Sequence, residues 1–318
     1  MDLNARQRPR TVTFRLAHIS DIHLGPLPHV TRSELFSKRI TGYINWYRNR
    51  ADKMNDGSLE LLLQHLKSAP KDHLVVTGDL VNLALDAEIE LAAKWLTSVG
   101  PPTDVSVVPG NHDTYVPGAL KKINSAWSPY MRGDAPDDGN RFPYLRVRDN
   151  VAVIGANSGR ASLPFMATGS FREKQARDTT ELLKRTKADG LFRVVLIHHP
   201  PFRGATARHK RLIGAKRFRK MIKQYGADLI LHGHTHISSF ERIDGPDGPV
   251  PVVGVPSASH RSSIQDEMRN PRSDIESARY NLFEISGKTG AWKCDMMEFG
   301  FASDTTKDVT ELSKKTIY

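Results

Sequence analysis

Residues 231–236, Leu231-His232-Gly233-His234-Thr235-His236, place two histidines two positions apart at the end of an apolar run. In a strand, residues so spaced point to the same side, so His234 and His236 are expected to present their imidazoles to one site. Neutral imidazole is the commonest protein ligand for zinc, iron, manganese and similar ions. One segment cannot complete a metal pair. Carboxylates and a further histidine are needed from other strand ends.

Working outward, four such ends supply them. Residues 12–19 read as a strand that leaves the sheet at Ser20-Asp21-Ile22-His23. Residues 73–77 form a second apolar run, stopping at Gly78-Asp79, and 105–108 a third, stopping at Pro109-Gly110-Asn111-His112-Asp113. Residues 193–197 end at His198-His199-Pro200-Pro201. Helical periodicity over 59–66, 87–99, 173–187 and 218–225 separates these runs, and that alternation argues for α/β layers. Further strands are expected at 151–156 and 228–231. Short strands at 238–243, 251–255, 280–285 and 292–297, with Gly/Pro/Asp turns between them, read as a meander finishing a second sheet. Residues 129–140 read as a surface loop.

Each motif alone is weak, because a Gly-Asp after a strand is usually a turn and a buried histidine is usually a satisfied core residue. Seven of the thirteen histidines nevertheless fall in these short segments. Open α/β sheets place their ligands at the C-terminal ends of strands, where all five motifs lie. Two metal ions about 3.5–4 Å apart would clamp a phosphoryl group and lower the pKa of a water. Such a site needs a bridging carboxylate, for which Asp79 is the candidate.

The order Asp-x-His, Gly-Asp, Gly-Asn-His-Asp, His-x-Pro, Gly-His-x-His resembles that of the calcineurin-like metallophosphoesterases over residues 12 to about 240. Gly78-Asp79-Leu80-Val81-Asn82 followed by Gly110-Asn111-His112-Asp113 is most similar to the class III cyclic nucleotide phosphodiesterase branch. The resemblance implies a four-layer α/β/β/α sandwich of two mixed β-sheets flanked by helices. It also implies a ligand set: Asp21, His23 and His236 on one ion, Asn111, His198 and His234 on the other, and Asp79 between them. His112 follows a ligand directly and is expected to meet the substrate, orienting phosphoryl oxygens or protonating the leaving group, with Asp113 orienting its ring. Asn82 stands where purple acid phosphatases carry a tyrosine on ferric iron, which argues against a purple chromophore. The mixed O/N ligands suit two divalent ions among Mn, Fe, Zn or Co, with Mn or Fe/Mn favoured. His199, His232 and His18 are weaker candidates for a supporting role.

Composition narrows the rest. The chain has 318 residues and 39% hydrophobic content, enough for a sizeable core. A net charge of +11 favours anionic partners, whether phosphate esters, nucleic acid or an acidic membrane surface. The single cysteine, Cys294, excludes an intramolecular disulfide framework and fits a cytoplasmic protein. Residues 1–10 show no secretory signal, and no run approaches the roughly 20 apolar residues needed to cross a bilayer. The expected organisation is a metallophosphoesterase domain over 1–300, a helical insertion at 26–57 flanking the site, and a loosely docked tail at 301–318.

Within that insertion, apolar residues at 36, 40, 43, 44 and 47 follow helical spacing, as in an amphipathic helix packed on the body. The same segment carries Lys38, Arg39, Arg48 and Arg50, so these arginines are candidates for contact with substrate phosphate or a peripheral membrane surface. The reaction expected is hydrolysis of a phosphodiester or phosphoester, cyclic nucleotides first, by a metal-activated hydroxide. A UDP-diacylglucosamine-type nucleotide-lipid pyrophosphate is the second substrate class and DNA the third, with no stable nucleic-acid complex expected. A non-enzymatic scaffold is disfavoured because every ligand position is filled. Oligomeric state is not legible in the sequence.

Overall fold

The first strand, β1 (Phe14–Ile19), divides its side chains between two cores. Ala17 and Ile19 pack with helices, whereas Phe14 and Leu16 pack against another sheet. A strand buried on both faces needs a layer on each side. The computed structural model, which describes residues 13–49, 57–135, 142–259, 276–302 and 306–318, supplies both.

After β1 come α1 (Arg32–Leu35), α2 (Arg39–Asn49), α3 (Ser58–Ser68), β2 (His73–Val76), α4 (Asp86–Val99), β3 (Val105–Val107) and α5 (Ala119–Ala126). The second half begins with β4 (Tyr144–Arg148), β5 (Val151–Gly155), β6 (Gly169–Ser170), α6 (Glu173–Ala188), β7 (Phe192–Leu196) and β8 (Leu212–Ile213). It continues through α7 (Ala215–Tyr225), β9 (Leu229–His232), β10 (Ser239–Ile243) and β11 (Val250–Gly254). It closes with β12 (Arg279–Lys288), β13 (Ala291–Phe301) and β14 (Val309–Thr316).

One sheet has the order β14-β13-β12-β1-β2-β3 and the other β10-β11-β9-β7-β5-β4. Both are mixed: β1–β2–β3 and β5–β7–β9–β11 run parallel, and the remaining strands add antiparallel edges. Leu62, Leu66, Ile89 and Leu96 of α3 and α4 cover the outer face of the first sheet. Leu183, Phe218 and Ile222 of α6 and α7 cover the second. Val75 and Phe283 meet Val194 and Leu231 between the sheets. The result is the expected four-layer α/β/β/α sandwich.

Three expectations change. The late strands do not form one meander: β10 and β11 join the second sheet, while β12, β13 and β14 complete the first. The tail expected at 301–318 contains β14, an edge strand whose polar residues face solvent on one side. Strand β4 hid because Arg146 occupies a buried position in it; its guanidinium donates to the carbonyls of Arg132, Pro102, Val105 and Pro129. Such a residue breaks the apolar alternation that signals a strand.

Beyond β14, Ile317 is buried in the core between the sheets. Ile317→Ala is expected to cost about 2–4 kcal/mol in urea unfolding, as a core truncation does. A loosely docked tail would leave the midpoint unchanged.

Candidate metal centre

The loops after β1 and β2 extend the pairing of their strands. Asp21 N donates to Gly78 O (2.9 Å), His23 N to Asp79 O (2.9 Å) and Leu24 N to Leu80 O (2.8 Å). Ile22 and Leu24 turn into the helix-side core, so Asp21 and His23 face the other way. The loop after β3 is fastened to them by Asp113, whose oxygens accept from the backbone N–H groups of Asp79, Leu80, Val81 and Gly110 at 2.7–3.2 Å. Gly110 permits that approach, since a Cβ there would sit 2.0 Å from Asp79 Oδ1. Gly233 does the same for the last loop, where a Cβ would meet Ser20 Oγ at 2.0 Å.

Around Asp79 the ligand atoms converge. His198 Nε2 lies 3.3 Å from Asp79 Oδ2 and 3.2 Å from Asn111 Oδ1. His236 Nε2 lies 3.0 Å from Asp21 Oδ1, and His23 Nε2 3.9 Å from the same oxygen. His234 packs on His198 with ring centroids 5.2 Å apart. Backbone carbonyls fix the rings: His198 Nδ1 donates to Thr77 O (2.6 Å), His234 Nε2 to Lys210 O (2.9 Å), and His23 Nδ1 faces Val81 O (3.3 Å). Each such bond leaves the opposite ring nitrogen with a lone pair for a ligand role.

This donor set fits divalent ions. A neutral His198 would bring the lone pairs of Nε2, Asp79 Oδ2 and Asn111 Oδ1 together, which is repulsive unless a cation or proton lies between them. Atoms bound about 2.1 Å from a shared ion stand about 3.0–3.4 Å apart at angles near 90–110°. Asp21 with His23 and His236, and Asp21 with Asp79 and His198, each bring their ligand atoms within 4.8 Å. His198 and His234 also cluster with His199, but both ring nitrogens of His199 are engaged, by Ser158 Oγ (2.8 Å) and Ala167 O (3.1 Å). His199 therefore backs His234 instead of ligating. His232 is likewise held on both nitrogens, by Gly233 O and Ser239 Oγ, and His18 is held through Nε2 on Thr77 Oγ1.

Electrostatics agree with a cation site. Burial opposes ionisation of Asp79, but His198 and His112 beside it hold its carboxyl well below the usual range. Asp21 is depressed too, burial being outweighed by His236. Burial also opposes a charge on His198, yet Asp79 and Asp21 raise it to about 9.

A profile of the calcineurin-like phosphoesterases matches residues 14–238, from the first residue of β1 to just past His236. The chain belongs to the calcineurin-like phosphoesterase family. A dimetal phosphatase from Danio rerio superposes over 96% of this chain and 98% of its own, with 14% identity and a TM-score of 0.59. A purple acid phosphatase from yellow lupin seeds covers 96% of this chain and 54% of its own, with 11% identity and a TM-score of 0.53. At these identities the likeness speaks for the fold. No curated protein matches the sequence.

Two expected roles for this phosphoesterase change. Asp113 does not orient His112: its oxygens are taken by the loop N–H groups, and His112 Nδ1 instead donates to Asn82 O at 2.6 Å. The ring stacks on Tyr115 with centroids 5.5 Å apart, and His112 is half-buried where its neighbours are buried. Arg39 does not reach toward substrate, because its Nε and Nη2 donate to Leu83 O (2.9 Å) and Ala84 O (2.6 Å). The side chain of Arg48 and all of Arg50 lie outside the described residues. Asn82 donates Nδ2 to Leu24 O (3.0 Å).

Sequence reasoning passed over Lys38 as a site residue. Its Nζ donates to Ser162 Oγ (2.8 Å) and Met166 O (2.7 Å) and lies 4.4 Å from the Tyr115 ring centre, tying α2 to the loop at 159–168. Burial lowers its pKa to about 8. Nothing in the local pattern separates Lys38 from the basic residues around it.

Asp79→Ala is expected to lose both metals or nearly all activity, whereas Asn111→Ala weakens one ion. Elemental analysis finding two retained metals in Asp79→Ala would remove it from the bridge. The sign of the pH dependence follows from His198: a proton held to about 9 must leave when a cation binds, while both carboxylates are already ionised. Apparent metal affinity should therefore rise with pH through neutrality, by up to about tenfold per unit. Competition against a chromogenic chelator on either side of neutral pH reads this directly.

Proposed function

We propose that this phosphoesterase hydrolyses small phosphodiesters, cyclic nucleotides first, at a dinuclear centre bridged by Asp79. The observation that carries the reading is the convergence of His23, His198 and His236 on Asp21 and Asp79, with Asn111 and His234 on His198 and the half-buried His112 beside them. Asp21, His23 and His236 would hold one ion and Asn111, His198 and His234 the other. Two ions so held supply Lewis-acid activation of water and of the phosphoryl oxygens. The preference for a diester rests on the similarity of the stretches 78–82 and 110–113 to the cyclic nucleotide phosphodiesterase branch.

The chain's own groups do the rest. His112 Nδ1 donates to Asn82 O, so a proton arriving at Nε2 makes an imidazolium oriented by that carbonyl. A carbonyl stabilises this cation less than a carboxylate would, which eases proton transfer to the departing oxygen. Asp79 Oδ1 accepts from His112 N (2.7 Å), holding the acid beside the bridging carboxylate. Tyr115, stacked on the ring, limits its rotation.

A second reading, a nucleotide-lipid pyrophosphate as substrate, is favoured by one observation. Ile40, Ile44 and Tyr47 of α2 are exposed, whereas Tyr43 packs on the helix-side core as the spacing of a packing helix predicts.

A hydrolysis screen with Mn(II) decides between them. It compares bis(p-nitrophenyl) phosphate, p-nitrophenyl phosphate, 3′,5′- and 2′,3′-cyclic AMP and a UDP-lipid. Turnover of monoester alone would sink the diester reading. His112→Ala should retain both metals yet slow turnover about 10²–10⁴-fold, and less for leaving groups that need no proton. Equal losses on p-nitrophenyl and alkyl esters would make His112 a phosphate-orienting group instead.

A further inference from the structure

Ten large apolar residues are exposed among the described residues, and seven of them lie on segments beside the metal centre. Phe36, Ile40, Ile44 and Tyr47 lie on and just before α2. Leu163 and Phe165, 72% and 82% exposed, lie on the loop at 159–168, and Ile213 follows at the end of β8. These segments form one rim. Lys38 ties α2 to Met166 O and Ser162, Ala167 N donates to His209 O (2.8 Å), and Gly169 pairs with Leu212. The rim borders the centre directly, because Ala167 O and Lys210 O hold the rings of His199 and His234.

Phe165 is held out deliberately. Its φ is +61°, a left-handed conformation that is uncommon for a bulky residue and costs free energy. Burial returns nothing, since the ring stands in solvent. The loop is nevertheless fixed on both sides, by Met166 N on Leu163 O (3.1 Å) and by Lys38 on Met166 O.

Basic charge adjoins the 209–213 side of this rim. Residues 203–223 hold nine Lys and Arg and no Asp or Glu, within a chain whose net charge is +11, whereas Glu34 stands on the α2 side. Arg217 and Lys223 have acidic partners, in Glu173 and Asp244. Among the described residues, Arg208, Lys210, Arg211, Lys216 and Lys220 are exposed and form no ion pair. Four of the seven apolar tips, Ile40, Ile44, Leu163 and Ile213, are aliphatic and offer nothing to a nucleic-acid backbone, and a second copy of the basic segment would be repelled. An anionic bilayer satisfies both features: headgroups take the cations and the interface takes the apolar tips.

We infer that this rim docks the protein on the surface of an anionic lipid bilayer, with the mouth of the metal centre at headgroup level. The inference goes beyond the proposed activity and does not need it, because binding is measured without turnover.

The test is flotation of the full chain with phosphatidylcholine vesicles, with and without phosphatidylglycerol. Wild type should bind only the anionic vesicles and be released by salt. Phe165→Gly keeps a backbone suited to its φ and removes the aromatic ring; Lys216→Glu/Lys220→Glu reverses charge on an exposed helix face. Each should lower the bound fraction at low lipid at least tenfold. Melting temperature, metal content and hydrolysis of water-soluble bis(p-nitrophenyl) phosphate should stay as in wild type. Failure of wild type to float, or wild-type binding by both variants, would overturn the inference. So would tight duplex DNA binding that the charge reversal abolishes while vesicle flotation is unaffected by Phe165→Gly. Loss of diester hydrolysis with intact flotation would instead count against the proposed activity alone.

Discussion

Asp21 and Asp79 are two carboxylates buried side by side, and the architecture of this end of the molecule answers the cost of that arrangement. Like charges taken out of water demand compensation from cations or a dense shell of donors. The fold provides a ring of histidines whose orientation is set almost wholly by backbone carbonyls: Thr77 for His198, Val81 for His23, Asn82 for His112 and Lys210 for His234. Such partners come with the main-chain path itself. The centre is therefore preorganised by the strands' ends, and Asp113, with four N–H groups on its carboxylate, holds two of those ends together.

Backbone strain concentrates at the same place. Among the described residues, eight other than glycine have positive φ, and five of them are Asp21, His23, Asp79, His234 and His236. Each conformation costs about 1–2 kcal/mol against its right-handed alternative. Such outliers persist where surrounding contacts over-determine them, and here the extended loop pairing and the Asp113 bonds do so. The left-handed turns also explain how closely spaced residues face one centre without lying in a strand.

That last point marks where the sequence was legible and where it was not. The five motifs identified the candidate ligands because strand termini in an α/β alternation are visible as apolar runs that stop. Strand alternation is not what aligns His234 and His236: β9 ends at His232, and both residues lie in the turn beyond it with φ of 73° and 59°. Gly233 was the available signal, since a glycine directly before such a pair of histidines marks close backbone approach. Asp113 was assigned to its sequence neighbour His112, although its partners are mostly more than 30 residues away along the chain. Proximity in sequence gives no information about which way a loop carboxylate turns. The exposed face of α2 was missed for a similar reason, as helical periodicity reports a stripe but not whether it points inward.

The rim and the centre are joined unequally. His198 and His23 lean on the carbonyls of Thr77 and Val81, just past the C-terminal end of β2, where loop pairing and Asp113 fix the main chain. His234 leans on Lys210, and His199 behind it on Ala167, both in the exposed segments that carry the apolar and basic side chains. A displacement of those segments reaches the His234 ring through one hydrogen bond, and reaches Asp79 by a longer path, from Lys38 over the Tyr115 ring and the His112 ring stacked on it. Asp79, held by the loop pairing and the Asp113 bonds, thus belongs to the rigid part of the sandwich. His234 belongs to its most accessible edge, so whatever settles on the rim acts first on the ring that leans on Lys210 O.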